Sequence, residues 1–154
     1  MLSQTAEYAL RAMVALAQTG SQAQTAHQIA QRTHVPLDYL SKVLNLLARA
    51  GLVTAQRGRG GGFQAGRPAG QVSVFQIIDA VDPLKRIHTC PLGLAAHGSN
   101  LCPLHRKLDD AARATAEAFH ETTLASISGV TAHPLCPGAS AAIATEGGFC
   151  RAIA

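Results

Sequence analysis

The feature that most constrains the fold is a glycine-rich stretch near the middle of the chain. Four of the five residues from 58 to 62 are glycines, and the fifth is Arg59. Glycine at this density disfavours both helices and regular strands, so the stretch is expected to form a loop. Residues 52–56 and 63–65, on either side, have the composition of short strands. The sequence therefore predicts a β-hairpin with Arg57 and Arg59 at its tip.

A glycine-rich loop can also cradle the phosphates of a nucleotide. That use requires a Lys-Ser/Thr pair at the end of the loop, or a helix that begins directly after the glycines. Here the glycines are followed by Phe63-Gln64-Ala65, which provides neither feature. A nucleotide-binding loop is therefore not expected.

Three short helices are predicted before the hairpin. Ser3 or Thr5 is expected to cap the first, and Thr25-Ala26-His27-Gln28 has the form of a capping box that opens the second. Gly20 and Gly51 are placed to end the first and third helices. The apolar residues at helical spacing in the first and third helices are Leu10, Met13, Val14 and Ala17, and Leu40, Val43, Leu44 and Leu47. Helices in this order followed by a hairpin describe a winged helix-turn-helix, in a fold that is mainly α with a small β-hairpin wing.

A second capping box, Ser73-Val74-Phe75-Gln76, predicts a fourth helix. The DNA-binding domain is expected to close near Asp82 and so to comprise residues 1–82. Residues 83–102 lose periodicity and contain two cysteines, which indicates an ordered loop or a ligand site.

The C-terminal part is predicted to begin with a long helix within residues 103–128. A helix of about 20 residues spans roughly 30 Å, too long for the small domain alone to bury. The same helix of a second subunit is its expected partner, with Leu108 and Phe119 in the interface. The residues expected to be solvated are Asp109, Asp110, Arg113 and Glu117. Residues 129–154 are rich in Ala, Gly, Ser and Pro and are expected to form a flexible tail.

The positive charge of the chain is concentrated in one segment. The formal net charge is +4, and residues 34–68 carry that excess because five basic residues there face only Asp38. Such a concentration is typical of a surface that binds a polyanion, although a solvated basic face would carry the same charge. Composition excludes other classes: charged residues make up only 14% and hydrophobic residues 47%, unlike a disordered chain or a coiled-coil rod.

Localisation and enzymatic activity can be addressed from what the sequence lacks. It has no apolar run of about 20 residues and no signal-peptide pattern at its start, so a cytoplasmic protein without membrane contact is expected. The four cysteines are then expected to be thiols or metal ligands rather than disulfides. The few acidic residues are scattered and no nucleophile–base pattern is present, so an enzyme is not expected.

The stretch QIAQRTHVPLDYLSKVLNLLARAGLV at 28–53, followed by RGRGGGF at 57–63, resembles the IscR/NsrR family of bacterial winged-helix regulators, also called the Rrf-two family. The resemblance extends from Thr5 to Ile127, about 80% of the chain. It implies a homodimer that places two winged helices on a palindromic operator of double-stranded DNA, with the long C-terminal helix as the dimer interface. It also favours repression of transcription.

Residues for DNA contact can be assigned on this basis. A recognition helix presents its N-terminal residues to base edges, and wing arginines enter the minor groove or pair with phosphates, while the wing glycines allow close approach. The alternative for Tyr39 is packing on the second helix. The predicted DNA-binding residues are Leu37, Asp38, Tyr39, Ser41, Lys42, Arg57, Arg59, Gly60 and Gly61.

The resemblance also implies a metal site. Cluster-binding members carry three cysteines at six-residue intervals before the dimer helix; here Cys90 and Cys102 match the first and third, but the middle position is Ala96. A two-iron cluster with mixed ligands is therefore expected rather than a four-iron one. His105 lies where some relatives have a histidine ligand, and Glu7 aligns with an acidic ligand from the partner subunit. Some relatives use a histidine before the recognition helix, where Thr33 aligns, and its neighbour His34 is a candidate.

Other interpretations of the cysteines remain open. Cys90 and Cys102 could form a redox thiol pair, a zinc site with His97 and His105, or half-buried residues of a structured loop. Cys-Pro dipeptides occur in haem-responsive proteins, but Pro103 is also expected as the first residue of a helix. Glu7 and His34 could equally be ordinary surface residues, and Cys136 and Cys150 fall in the expected tail.

Overall fold

The computed structural model, which describes residues 2–93 and 100–129, is a mainly helical fold with one small hairpin. The predicted helices and the antiparallel hairpin are confirmed, and a short last helix and a 3₁₀ turn at Ala69–Gln71 were not predicted. Among the described residues, none of the helices is both long and apolar enough to cross a membrane. The elements are α1 (Gln4–Gln18), α2 (Ala26–Thr33), α3 (Leu37–Arg49), β1 (Val53–Gln56), β2 (Gly62–Ala65), α4 (Val74–Val81), α5 (Pro103–Glu121) and α6 (Leu124–Ser128).

Side-chain caps fix where the helices begin. The Ser3 side chain accepts a hydrogen bond from the Ala6 N–H at the start of α1. Both predicted capping boxes are present, at Thr25 before α2 and at Ser73 before α4. In each box, the hydroxyl of the cap residue accepts a hydrogen bond from the backbone N–H of the glutamine three residues later. The side-chain oxygen of that glutamine accepts a hydrogen bond from the backbone N–H of the cap residue. These starts follow from local sequence because the partners are only three residues apart.

The core is built around α1, which contacts α2, α3, α4, α6 and β2. Ala9 and Ala12 are fully buried, and their small side chains let neighbouring helices approach closely. The other members of this main core are Met13, Val14, Leu16, Ile29, Val35, Leu40, Val43, Leu44, Leu47, Leu52, Val53, Val72, Ile77 and Leu124. A second, smaller cluster consists of Ala6, Val74 and Ile78, with Leu84, Phe119 and Ile127 packed against it.

The chain returns to this core after α5. The Leu124 N–H donates to the Val72 carbonyl at 2.7 Å, and the Val74 N–H donates to the Thr122 carbonyl at 2.8 Å. Thr123 forms an isolated antiparallel β-bridge with Ser73. Its side-chain hydroxyl caps α6 by accepting a hydrogen bond from the Ser126 N–H at 3.2 Å. The segment predicted as the end of the dimerisation helix therefore contributes a core residue to the domain that begins at the N-terminus.

The hairpin is extended by a residue from the loop before α2. Gln24 and Phe63 exchange backbone hydrogen bonds of 2.8 and 2.7 Å, which adds a one-residue bridge to the edge of β2. A Cβ atom at Gly62 would collide with the Gln24 backbone, and one at Gly61 would collide with the Gln56 carbonyl oxygen. Both glycines are thus required by contacts within the hairpin itself.

Removal of the Leu124 side chain is expected to destabilise the whole domain. Leu124→Ala should lower the free energy of unfolding by about 2–5 kcal/mol, because the fully buried side chain leaves a cavity in the main core. Urea unfolding followed by circular dichroism measures this. Leu2→Ala removes the same atoms from a side chain that is 40% exposed and should change stability by less than about 1 kcal/mol. Equal losses in the two variants would show that α6 is not part of the domain core.

Candidate nucleic-acid interface and metal centre

The first turn of α3 presents exposed side chains of three different chemistries. Leu37 is 41% exposed, and Asp38 and Lys42 are exposed beside it. Ser41 is half-buried and donates from its hydroxyl to the Leu37 carbonyl at 3.0 Å. An apolar group, an acceptor and a cation at one helix end match what base edges and phosphates in a major groove can bind.

Tyr39 packs against α1. Its hydroxyl hydrogen-bonds the Thr5 hydroxyl at 2.6 Å, and its ring meets Tyr8 edge to face with centroids 5.5 Å apart. The side chain nevertheless remains 37% exposed. Tyr39 therefore fixes the start of the recognition helix on α1, and direct contact with DNA stays a prediction for it.

The hairpin tip carries exposed cations. Arg57 and Arg59 are exposed, and neither makes an ion pair with any described residue. Gly60 is exposed with a positive φ of 83°, whereas Gly61 is half-buried. The tip thus offers two guanidinium groups to an anionic partner, while Gly61 already has a structural role.

The structure brings three of the predicted metal ligands together. Cys102 is the N-cap of α5 and Pro103 its first residue, so His105 lies one turn along the helix. The His105 Nδ1 atom is 3.1 Å from the Cys102 sulfur and 3.6 Å from the Cys90 sulfur. All three donor atoms lie within 4.8 Å of one another, and all three residues are half-buried.

This donor set fits a metal ion. Bonds of about 2.3 Å to sulfur and 2.0–2.1 Å to nitrogen place neighbouring ligand atoms about 3.5 Å apart in a tetrahedron. The distances from His105 to the two sulfurs are close to that value. Two thiolates and an imidazole are ligands for zinc and for iron–sulfur clusters alike.

Glu7 and His34 are not part of this group. Among the described residues, the three donors form the only such cluster, and Glu7 instead pairs with Arg11 one turn along α1. His34 is the exposed left-handed C-cap of α2, and Thr33 beside it is fully buried with its hydroxyl bonded to the Ile29 carbonyl. A role for Glu7 or His34 across a subunit interface stays a prediction. His97, Ala96, Cys136 and Cys150 lie outside the described residues.

An ion pair that sequence reasoning missed holds the Cys90 segment on α5. Arg86 donates from Nε and Nη2 to the two oxygens of Asp109, both at 2.6 Å, and the Ile87 N–H donates to the same carboxylate at 2.9 Å. Asp109 was expected to be solvated, and this was wrong: only 14% of its side chain is exposed.

Charge stabilisation follows from this geometry. The hydrogen bonds from Arg86, and then that from Ile87, hold the pKa of the Asp109 carboxyl well below its ordinary value. The bond to Asp109 in turn raises the pKa of Arg86. Both groups are therefore charged throughout the neutral range.

The two sides of α5 have different environments. When the described residues are considered, no residue of α5 is fully buried. One stripe of the helix is exposed, and in it Leu104 is 63% exposed and Leu108 is 50% exposed. The stripe continues at 3.5-residue spacing through Ala111, Thr115 and Ala118. The half-buried residues on the neighbouring side are His105, Asp109, Ala112, Ala116 and Phe119.

Phe119, which was expected in the subunit interface, is half-buried and packs on its own chain, and an interface role stays a prediction for it. It contacts the small cluster around Val74 and Ile78. Leu104 and Leu108 are the large apolar residues that α5 leaves exposed.

Comparisons with known proteins agree with this architecture. The model of the Rrf2 family, described as an iron-dependent transcriptional regulator, matches residues 2–129. The HTH-type transcriptional regulator IscR of Cereibacter sphaeroides is 33% identical over 132 residues, which cover 82% of this chain and 85% of that protein.

Solved structures show the same fold. CymR (YrzC), described as the global cysteine regulator of B. subtilis, has a TM-score of 0.70 at 23% identity and covers 85% of this chain and 98% of its own. IscR of T. potens has a TM-score of 0.68 at 23% identity, with 82% of this chain and 85% of its own covered.

Proposed function

Because the chain belongs to the Rrf2 family of transcriptional regulators, we propose that it is a homodimeric, sequence-specific DNA-binding repressor with an iron–sulfur sensor. The observation that carries this proposal is the Cys90–Cys102–His105 group at the start of α5, in a chain that also has an exposed recognition helix and wing. The sensed signal would be redox state, iron supply or nitric oxide. The protein would act in the cytoplasm and repress by occluding a promoter.

The exposed side chains of α3 and the wing support the DNA-binding part. In winged helices the N-terminal turn of the recognition helix enters the major groove, which assigns base contacts to Leu37 and Asp38 and phosphate contacts to Lys42. Asp38 can accept from a cytosine amino group, and Leu37 can contact a thymine methyl. Arg57 and Arg59 would bind phosphates or a narrow minor groove. A dimer would select a pseudo-palindrome with half-sites about one helical turn apart, a target that in-vitro selection of bound DNA identifies.

Arg59→Ala is expected to weaken operator binding by about 1–3 kcal/mol and to reduce the salt dependence of binding. The reason is that the Arg59 guanidinium releases a counterion from the DNA when it binds a phosphate, and the variant loses this contact. Fluorescence anisotropy over a salt series, on DNA obtained by in-vitro selection, measures both effects. Arg113→Ala removes the same charge from α5 and should leave affinity nearly unchanged. Salt-independent binding by the unmodified protein, or equal effects of the two variants, would contradict the assignment of the wing.

The exposed stripe of α5 supports a homodimer. Apolar residues at 3.5-residue spacing are the pattern by which two helices pack along a common seam. Leu104 and Leu108 would fill the wide part of the seam, and Ala111, Thr115 and Ala118 would let the helices approach more closely at the other end. A monomer would leave this stripe in water.

Leu108→Asp is expected to give monomers at micromolar concentration, because the new carboxylate would be buried without a partner at a cost of several kcal/mol. Analytical ultracentrifugation measures the association state. Arg113→Glu places an acid on the opposite side of α5 and should remain dimeric. If Leu108→Asp stays a dimer with unchanged DNA affinity, the interface lies elsewhere.

The donor group supports the sensor. Two thiols are too few for an all-cysteine cluster, so non-thiolate ligands must complete it, which favours a two-iron centre. His105 is the third ligand by position, and Glu7 of the partner subunit and His34 are candidates for the fourth. An iron–sulfur cluster supplies a centre that changes charge with its redox state and is lost when iron is scarce. Since Cys102 caps α5 and His105 lies on it, and α5 contacts α4, a change in their positions would be transmitted through α5 to the DNA-binding domain.

Protein purified without oxygen is expected to be coloured and to contain iron and acid-labile sulfide. Cys90→Ala and Cys102→Ala should lose the visible absorption, because each removes one of the two thiolates. Cys136→Ala and Cys150→Ala are the controls and should keep it. A colourless, iron-free protein, or unchanged absorption in Cys90→Ala, would refute the cluster.

A cluster-free regulator of the same fold is the second candidate. The distances among the three donors suit a single zinc ion as well, and the two sulfurs are close enough for a redox thiol pair. Haem has less support, because Pro103 serves as the first residue of α5. Zinc in place of iron in the purified protein, or a reversible disulfide, would favour this candidate.

A further inference from the structure

We propose that Arg86 and Asp109 are positioning residues that hold Cys90 within bonding reach of the Cys102–His105 pair. The inference deepens the proposed function, because it assigns to this ion pair the preformed geometry of the sensor site. Neither residue is itself a ligand in the proposal.

The pair joins two parts of the chain that carry the ligands. Arg86 and Ile87 lie just before Cys90, in the segment of residues 83–93, which contains no helix or strand. Asp109 lies on α5 four residues beyond His105, on the same side of the helix. The Arg86–Asp109 contact and the Cys90–His105 contact are thus neighbouring attachments of one segment to one helix face.

The geometry of the Arg86–Asp109 contact restricts the position of the segment that carries Cys90. The guanidinium binds both carboxylate oxygens, a planar arrangement that restricts orientation as well as distance. The Ile87 N–H adds a third bond from the backbone of the segment itself. By contrast, Arg11 with Glu7 and Arg113 with Glu117 are exposed pairs within single helices and join no separate segments.

The segment has a further attachment at its start. Leu84 anchors its start by packing on the cluster of Ala6, Val74 and Ile78. Leu84 is six residues before Cys90, and Arg86 and Ile87 provide the attachment between them. Without the pair, the effective concentration of the Cys90 thiol at the Cys102 thiol is expected to fall. Its lower limit is the value for groups joined by a short flexible linker, which is in the millimolar range.

Cobalt binding tests this positioning with the metal alone. Metal-free, full-length protein carrying Cys136→Ser and Cys150→Ser is titrated with Co²⁺, whose thiolate absorption reports the ligands. Asp109→Asn is expected to weaken Co²⁺ binding about 10–100-fold, the usual effect of losing a residue that orients ligands, and Arg86→Lys to weaken it less. Asp110→Asn removes the same charge one residue further along and should bind Co²⁺ as the parent does.

Disulfide formation tests the same inference without any metal. In a glutathione buffer, the Cys90 and Cys102 thiols give two electrons and two protons to oxidised glutathione; the protein disulfide forms, and the glutathione disulfide breaks to give two glutathione thiols. The equilibrium constant reports the effective concentration of one thiol at the other. It is expected to fall at least about tenfold in Asp109→Asn and Arg86→Gln, and to be unchanged in Asp110→Asn. Arg86→Gln leaves α5 intact and carries the test if Asp109→Asn does not fold.

The two measurements separate this inference from the proposed sensor. If the parent protein binds no Co²⁺ but the disulfide constant falls only in the Arg86 and Asp109 variants, the metal site is wrong and the positioning role stands. If the disulfide constant is the same in Asp109→Asn, Arg86→Gln and Asp110→Asn, the positioning role is wrong whatever the metal binding shows.

Discussion

Close packing around α1 determines where the other elements lie. Ala9 and Ala12 are fully buried on α1, and their small side chains let the surrounding helices approach that part of the helix closely, while Met13 and Leu16 on the same face fill the core. The core contacts fix α3 on one side and α4 on another, while the returning α6 fills the space that remains. Enlarging either alanine would force several elements apart at once, because tightly packed interiors tolerate added volume poorly.

The same packing places the start of the recognition helix. Tyr39 bonds to Thr5 and stacks edge-on against Tyr8, so the exposed turn of α3 is held by the first turns of α1. Glu7 lies among those residues. A ligand role for Glu7 would therefore connect the partner's metal centre to the DNA-reading turn through a single turn of helix.

The helix α5 is attached to the domain near both of its ends. Asp109 binds the Arg86 segment near the first end, and the Thr122 carbonyl and Leu124 N–H bind residues of the α4 start at the other. Phe119 adds an apolar contact between these points. The helix is thus oriented by its own chain, and its exposed stripe is presented in a defined direction.

Local features could be predicted from the sequence, whereas contacts between distant residues could not. The capping boxes at Thr25 and Ser73 depend on partners three residues apart, and the sequence shows both partners together. Arg86 and Asp109 are 23 residues apart, and nothing in their neighbourhoods distinguishes them from other charged surface residues.

Phe119 and Leu108 show the limit of helical periodicity. The two positions differ by only about 20° around an ideal helix, yet Phe119 packs on its own chain and Leu108 is exposed. A single sequence marks both as apolar and cannot assign them to different partners. For the metal ligands, the resemblance to the family indicated Cys90, Cys102 and His105, which lie together, while Glu7 and His34 were candidates from the same resemblance and are not part of the group.

The bridge between Gln24 and Phe63 has a consequence for exchanging DNA-binding specificity between relatives. Because Gln24 pairs with the edge of β2, the loop before α2 and the wing form one continuous backbone unit. Grafting α3 alone from another protein would leave this unit intact, whereas grafting the wing alone would separate Gly62 from the backbone it accommodates. A transplant that runs from residue 24 to residue 65 keeps both sides of the bridge and carries α3 together with both strands of the wing.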